Sequence, residues 1–418
     1  MLTTCLNDSM MYSIMTYIER EIGNLIVTAA ADMPVVVLTG MRQTGKSTFL
    51  QSQEELRSWN YITLDDFNQL AACKENPDAF VASGEHTIID EAQRCPELFI
   101  AIKSSVDRKR TPGRFILSGS ANFLLMKGIS ESLAGRAAYF NMHPFTRREY
   151  TRKIAEPPFI KTFFETLSIT EERKMPPVRT DEIRKGGIPP VRLGLVKDSD
   201  LWFRGYEQTY LERDIRDLGR IGDIIPFRGL LRLLSLRTGK ILSISELGRD
   251  ARMRSAAVSN YLSLMEVSCI FYRLVPFLEN RASRLVKSPK AYMSDSGLAS
   301  FLADVDDLDK DPLYGALLET YVAQNLTGIL QSTWPKANLF FWNIQGRHEV
   351  DFVIGSGKKC VAVEIKGSTR WEGRDLSGLK AFMTATPQCV AGILAYNGSV
   401  PINIGKRLWA IPIGMLIS

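Results

Sequence analysis

The chain has 418 residues, 45% of them hydrophobic and 23% charged, the balance of a globular protein with room for two or three domains. No run of about 18 uncharged apolar residues occurs, so a membrane-spanning helix is not expected. The N-terminus lacks the basic start and apolar core of a secretory signal. Six scattered cysteines without a C-x-x-C pair, and only three histidines, argue against a disulfide framework or structural zinc and point to a reducing, cytoplasmic setting.

Residues 1–19 read as a leader. From 33 to 145, PVVVLTG, NYITLDD, EHTIIDE and GRFILSGS are short apolar runs ending in small or acidic residues, with helical stretches between them. That alternation predicts a parallel sheet flanked by helices. The first run leads into G-M-R-Q-T-G-K-S, Gly40 to Ser47, which fits the phosphate-loop pattern G-x-x-x-x-G-K-[ST] in full. Its glycines let the backbone curl so that the N–H groups of Gly40, Met41, Arg42, Gln43, Thr44, Gly45, Lys46, Ser47 and Thr48 converge on phosphate oxygens. The N-terminal end of a following helix favours the same anion. Lys46 is expected to reach the β and γ phosphates of ATP, and Ser47 to ligate Mg²⁺.

HTIIDEAQR delivers Asp90 and Glu91 to the C-terminal end of a strand, where open α/β sheets bind ligands. Asp90 suits the shell of the Mg²⁺, and Glu91 suits polarisation of the attacking water. RFILSGSAN is another apolar strand, ending in Ser118, Gly119, Ser120 and Asn122.

Glu156 to Pro190 is rich in Pro, Lys and Glu and reads as a linker or loosely packed region. Residues 226–292 carry twelve Lys/Arg against four acids, a local +8 that exceeds the +6 of the whole chain. Within them SISELGRDARMRSAAVSNYLSLMEVSCIFYRLVPF has the pattern of a winged helix. Ser245 is expected to cap a short helix from Glu246, and a second helix from Ser255 to Met265 buries Val258, Tyr261, Leu262 and Met265. Strands near 269–275 and 284–292 form the wing. Arg252, Arg254, Ser255, Ser259 and Asn260 are then placed to face DNA. A packing module with a solvated basic face is the competing reading.

The C-terminal part is mixed: a helix over LYGALLETYVAQNLTGIL, then the strands NLFFWNI, EVDFVIG and KCVAVEIKG. Glu319, Asp351, Glu364 and Lys366 make the E…D…E-x-K pattern of the PD-(D/E)xK nuclease fold. Alternation puts Glu364 and Lys366 on one strand face. Asp351 and Glu364, completed by Glu319, suit a divalent metal, with Lys366 orienting the water. Such a fold also persists as a binding module without cleavage.

LTGMRQTGKSTFL, IIDEAQR, LSGSANFLL, SLAGRAAYFNMHPFTRREY, GGIPPV, YEQTYLERDIRDL and EVDFVI…VEIKGS together resemble a prokaryotic family of AAA+-type P-loop ATPases whose chains end in a long uncharacterised region. The resemblance implies that Ser118 or Ser120 contacts the γ-phosphate or the water. It also implies that Arg136 of LAGR senses or completes a nucleotide site, in trans within a homo-oligomer; a salt-bridged structural arginine is the alternative. WNIQGRHEVDF carries one residue more before its acidic strand than the family pattern. The expected organisation is α/β: an AAA+-type ATPase domain over 20–150, a linker and helical region over 151–225, a winged helix over 226–300 and a nuclease-like domain over 301–418. The expected activity is ATP hydrolysis, acting on or regulated by DNA. Its rivals are a nucleotide-gated scaffold for a protein partner and an ATP-licensed, metal-dependent DNA nuclease.

Overall fold

A computed structural model describes residues 17–82, 85–119, 133–169, 174–210, 224–278, 287–344 and 347–418. The chain forms two compact units. The first holds the described residues up to His143 together with Val267–Cys269, and the second holds the others from Pro144 onward. Ser120, Asn122 and most of the leader lie outside the described residues.

In the first unit, helix α1 (Gly23–Asp32) precedes β1 (Val35–Thr39), and α2 (Lys46–Ser52) follows it. The strands β2 (Asn60–Thr63), β3 (Thr87–Asp90), β4 (Phe115–Ser118) and β5 (Ala137–Asn141) complete an all-parallel sheet in the order β2-β3-β4-β1-β5. Its central strands are apolar on both faces because helices cover both. Alternation sorts them: Val35, Val37, Ile89, Phe115 and Leu117 pack on one side with α3 (Glu97–Arg108). Val36, Leu38, Ile88 and Ile116 pack on the other with Ile26 of α1 and Phe49 and Leu50 of α2. Burial of each such side chain is worth about 1.5–3 kcal/mol. This is the expected α/β P-loop sheet.

The second unit opens with a correction. Glu156 to Pro190 is no loose linker: it forms the helices Phe159–Thr166 and Thr180–Lys185, and Ile160, Phe163, Ile183 and Ile188 are fully buried. Phe159, Leu167 and Ile169 remain half-buried. GGIPPV follows, and both glycines are demanded by contacts. A Cβ on Gly186 (φ +62°) would lie 2.2 Å from Asp295 Oδ1, and one on Gly187 would lie 2.3 Å from the Phe145 carbonyl. The Gly187 N–H donates to Asp295 Oδ2 at 2.6 Å.

The basic segment folds as α4 (Ile224–Leu236), α5 (Ile244–Asp250) and α6 (Ser255–Val267) beside a small antiparallel sheet. That sheet has the order β6 (Lys240–Ile241), β8 (Lys290–Met293), β7 (Phe271–Leu274). Val258, Leu262 and Met265 are buried, while Tyr261 is half-buried against the edge of Phe227, with ring centroids 5.2 Å apart. The cap of α5 is Ser243, not Ser245: the Ser243 hydroxyl accepts from Glu246 N at 3.3 Å, the reach of a cap to its third helical residue. Ser245 lies inside the helix, its hydroxyl bonded to that of Ser243.

Helix α7 (Ser296–Leu302), capped by Asp295, leads to α8 (Tyr314–Thr333) and the strands β9 (Asn338–Ile344), β10 (His348–Ser356) and β11 (Lys359–Lys366). Then come α9 (Ser377–Ala385), β12 (Cys389–Tyr396), β13 (Ile402–Gly405) and β14 (Leu408–Pro412). The sheet order is β13-β14-β12-β11-β10-β9. β9, β10 and β11 are antiparallel neighbours, whereas β12 joins β11 in parallel. A bulge follows in β10: Val350 pairs with Trp342 but Val353 with Phe340, so Asp351 and Phe352 oppose one position of β9. As a result Val350 and Val353, three apart, enter the same core with Leu379 and Phe382 of α9. No described helix is long and apolar enough to cross a membrane.

Candidate functional site

The loop from Gly40 to Ser47 leaves β1 at its C-terminal end. Gly40 (φ +149°) has no room for a side chain, since a Cβ would stand 2.5 Å from the Met142 carbonyl. Gln43 (φ +62°) and Gly45 (φ +91°) take the left-handed backbone that curls the loop. The curl is fixed from both sides. Thr44 Oγ1 donates to the Met41 carbonyl at 2.9 Å, and the Thr44 carbonyl accepts from Arg20 Nη1 at 2.7 Å. Arg20 also donates to the His143 carbonyl at 2.5 Å, tying the loop to the end of β5.

Lys46 is buried, and its ammonium donates to the carbonyls of Gly40 at 3.1 Å and Met41 at 3.0 Å. Burial lowers its pKa, while the charges of Glu91 and Asp90 oppose that shift. Arg42 is half-buried, and the side chains of Ser47 and Thr48 are exposed at the start of α2.

Asp90, 2% exposed at the end of β3, is held on both carboxylate oxygens. The Ser118 hydroxyl, from the end of the adjacent β4, donates to Oδ1. The Tyr61 phenol, from β2, donates to Oδ2 at 2.7 Å. Glu91 follows in a left-handed conformation (φ +53°), its carboxylate accepting from the Gln93 amide. Burial raises its pKa. The donor set Ser47 hydroxyl plus Asp90 carboxylate is hard oxygen, which fits Mg²⁺. Tyr61 and Arg20 were not singled out in the sequence. Tyr61 sits in NYITLDD, where its alternation marks only a strand.

Arg136 lies elsewhere. β5 begins at Ala137, paired with Val35 at the start of β1, so Arg136 stands at the sheet edge opposite the phosphate loop. It holds Asp107 with two bonds, Nε to Oδ1 at 2.6 Å and Nη2 to Oδ2 at 2.9 Å. It does not approach the loop of its own chain.

In the second unit Arg252, Arg254, Ser255 and Asn260 are exposed around the start of α6, and Ser259 is half-buried. Most of the surrounding positive charge is engaged. Arg228 and Arg232 pair with Glu207, Arg237 and Arg249 with Asp250, and Arg273 with Glu266. Among the described residues Arg252 and Arg254 enter no ion pair.

The C-terminal carboxylates are brought together, but around an unexpected partner. Lys290 of β8 has a side chain 2% exposed, with Nζ 3.0 Å from Glu319 Oε1, 2.5 Å from Glu349 Oε1 and 3.9 Å from Asp351 Oδ1. Burial would lower its pKa, yet Glu319, Asp351 and Glu349 outweigh that and raise it. Asp351 Oδ2 accepts from Ile365 N at 2.8 Å. Burial, with Glu319 and Glu364 adding to it, pushes the Asp351 carboxyl well above the usual range. Burial likewise pushes Glu364 up to about 7 against the pull of Lys366, whose Nζ lies 3.2 Å away. The expected Glu364–Lys366 pairing on one face is present. Among the described residues no group of three or more His, Cys, Asp or Glu side chains is arranged to hold a metal ion. An ammonium among Glu319, Glu349 and Asp351 does not fit a divalent site there.

Residues 32–151 match a family described as "AAA domain", and 180–309 and 314–416 match two domains of unknown function, DUF8612 and DUF4143. "Uncharacterized protein Mb2031c" of Mycobacterium bovis and "Uncharacterized protein Rv2008c" of Mycobacterium tuberculosis are each 30% identical over 354 residues, covering 83% of this chain and 74% of theirs. The solved Walker-type ATPase PABY2304 of Pyrococcus abyssi overlaps 68% of this chain and 94% of its own, at 15% identity and a TM-score of 0.42. The chain belongs to the same family as these two mycobacterial proteins, and its residues 32–151, with an intact phosphate loop at the end of β1, match an AAA domain.

Proposed function

We propose that the chain hydrolyses ATP with Lys46, Asp90 and Glu91, and that nucleotide state governs engagement of DNA by the basic segment 226–292. The observation that carries the catalytic part is the buried Lys46 ammonium under the influence of Asp90 and Glu91, with Asp90 clamped by Ser118 and Tyr61. In this reading the loop amides from Gly40 to Thr48 bind the phosphates. Lys46 leaves its own-loop carbonyls to neutralise the β and γ oxygens, and Glu91 orients the attacking water. Ser47 and Asp90 would hold Mg²⁺, which would supply positive charge against the negative charge developing on the phosphate oxygens. Arg136, remote from its own loop, serves the nucleotide of a second copy, which makes the working form a homo-oligomer. Arg252, Arg254, Ser255, Ser259 and Asn260 supply the DNA contacts.

A second reading, a nucleotide-gated scaffold for a protein partner, draws on a separate observation. Arg228, Arg232, Arg237, Arg249, Arg273 and Lys290 are engaged in internal ion pairs, which leaves less of the +8 for phosphates.

ATP turnover with Mg²⁺, with and without duplex DNA, decides between them, with Lys46→Ala as the control. The expected result is a dead variant and a wild type stimulated by DNA in a salt-sensitive manner. Normal turnover by Lys46→Ala removes the site assignment. A wild type indifferent to DNA at low and moderate salt gives the scaffold reading precedence.

A further inference from the structure

We infer that Lys290 is a built-in counter-cation that takes the place of a divalent metal in the C-terminal acidic cluster and pins the β6–β8–β7 sheet to the C-terminal domain. The inference is independent of the nucleotide site.

The geometry is specific. Lys290 opens β8, paired with Ile241 of β6 and Leu274 of β7. Tyr292, two residues on, shares its strand face by alternation. Both reach the same carboxylate: Lys290 Nζ and the Tyr292 hydroxyl each donate to Glu319 Oε1. Tyr292 is fully buried, and its ring lies 5.9 Å from that of Phe352 on β10. Glu319 comes from α8 and Glu349 and Asp351 from β10, so three carboxylates from two elements of the C-terminal domain converge on one ammonium.

A divalent ion needs carboxylate oxygens at about 2.0–2.6 Å in a shell of six or more. Here one ammonium already stands within ion-pair reach of three of the carboxylates, at 3.0, 2.5 and 3.9 Å. A second cation beside it would meet direct charge repulsion in a buried setting, where screening is weak. The bulge at Asp351–Phe352 serves the same arrangement: Val350 turns into the core on the α9 side, and Glu349 meets Lys290. Lys290 thus joins β8 to α8 and β10 through ion pairs where a divalent metal would otherwise sit.

The test is a Mn²⁺ titration of the nucleotide-free full chain by calorimetry and thermal melting, with Asp351→Asn and Lys290→Met. The wild type is expected to show no saturable Mn²⁺ site that Asp351→Asn removes. Lys290→Met is expected to melt several degrees lower and to gain a Mn²⁺ site at least tenfold tighter than any in the wild type, with its melting temperature restored by the metal. Should Lys290→Met fail to fold alone, folding on addition of Mn²⁺ is the expected result. An Asp351-dependent Mn²⁺ site in the wild type would overturn the inference. So would a Lys290→Met protein, folded or not, that neither binds Mn²⁺ nor responds to it.

Discussion

Tyr61 and Asp90 meet across neighbouring strands: the phenol at β2 donates to the carboxylate at the end of β3 at 2.7 Å. Burial, and then the Asp90 charge, raise the Tyr61 pKa, so the phenol remains a donor across the working pH range. Tyr61→Phe removes one of two side-chain donors to a buried carboxylate, a loss of about 1–2 kcal/mol. Freed on one side, Asp90 is less well aimed at Mg²⁺. We expect ATP turnover to fall about tenfold, within the range for losing one positioned group, with half-saturation moved to higher Mg²⁺. A coupled assay across Mg²⁺ concentrations reads both, and unchanged values for each would remove Tyr61 from the site.

Arg252 and Arg254 are exposed at the start of α6 without ion pairs among the described residues. If they contact phosphates, alanine at each weakens duplex binding uniformly across sequences and lowers the slope of log affinity against log salt by about one. Fluorescence anisotropy at several salt concentrations measures this. Wild-type affinity and slope in the double variant would place DNA elsewhere.

Glu182 offers a pH signature in the second unit. It accepts from Arg147 Nε at 3.0 Å and from the Tyr150 hydroxyl. Burial pushes its carboxyl up, but the Arg147 charge and these hydrogen bonds outweigh burial and hold it below the ordinary range. A depressed carboxyl contributes stability above its unfolded pKa, and that contribution is lost as pH falls through the folded value. Glu182→Gln leaves a buried guanidinium without its partner and should cost about 3 kcal/mol at neutral pH. The gap from wild type should begin to narrow as pH falls below about 4.3 and close only below the folded value. Urea melts at pH 7 and at about pH 3 test it, and an equal gap at both would contradict the assignment.

Gly187→Ala places a Cβ 2.3 Å from the Phe145 carbonyl and 2.4 Å from Gln324 Nε2. Overpacking of this kind costs about 1–3 kcal/mol, and rigid backbone puts this site at the upper end. Thermal melting should show a drop of several degrees, whereas alanine at Gly229, with open space around it, should show none of that steric cost.

The nucleotide site was legible because its determinants are local. Gly40, Gly45, Lys46 and Ser47 lie within eight consecutive residues, and the acidic pair closes a strand whose apolar run announces it. Strand alternation likewise foretold Glu364 beside Lys366, and helical spacing foretold the buried Val258, Leu262 and Met265. Local pattern misled where apolar residues are sparse yet several are fully buried, as in Glu156 to Pro190, and where two serines compete for one cap, as at Ser243 and Ser245.

Other features depend on partners far apart in the chain. Tyr61 becomes a clamp only when β2 lies beside β3, and Ser118 only when β4 lies beside it on the other side. Lys290 reads as one more cation in a basic stretch until β8 carries it between α8 and β10. Charge in a sequence has a sign but no address. Covalent neighbours and strand or helix period determined the phosphate loop, the acidic pair and the inward faces. Which carboxylate meets which donor was decided by packing, because burial forces every charged group to find its counterpart in space rather than along the chain.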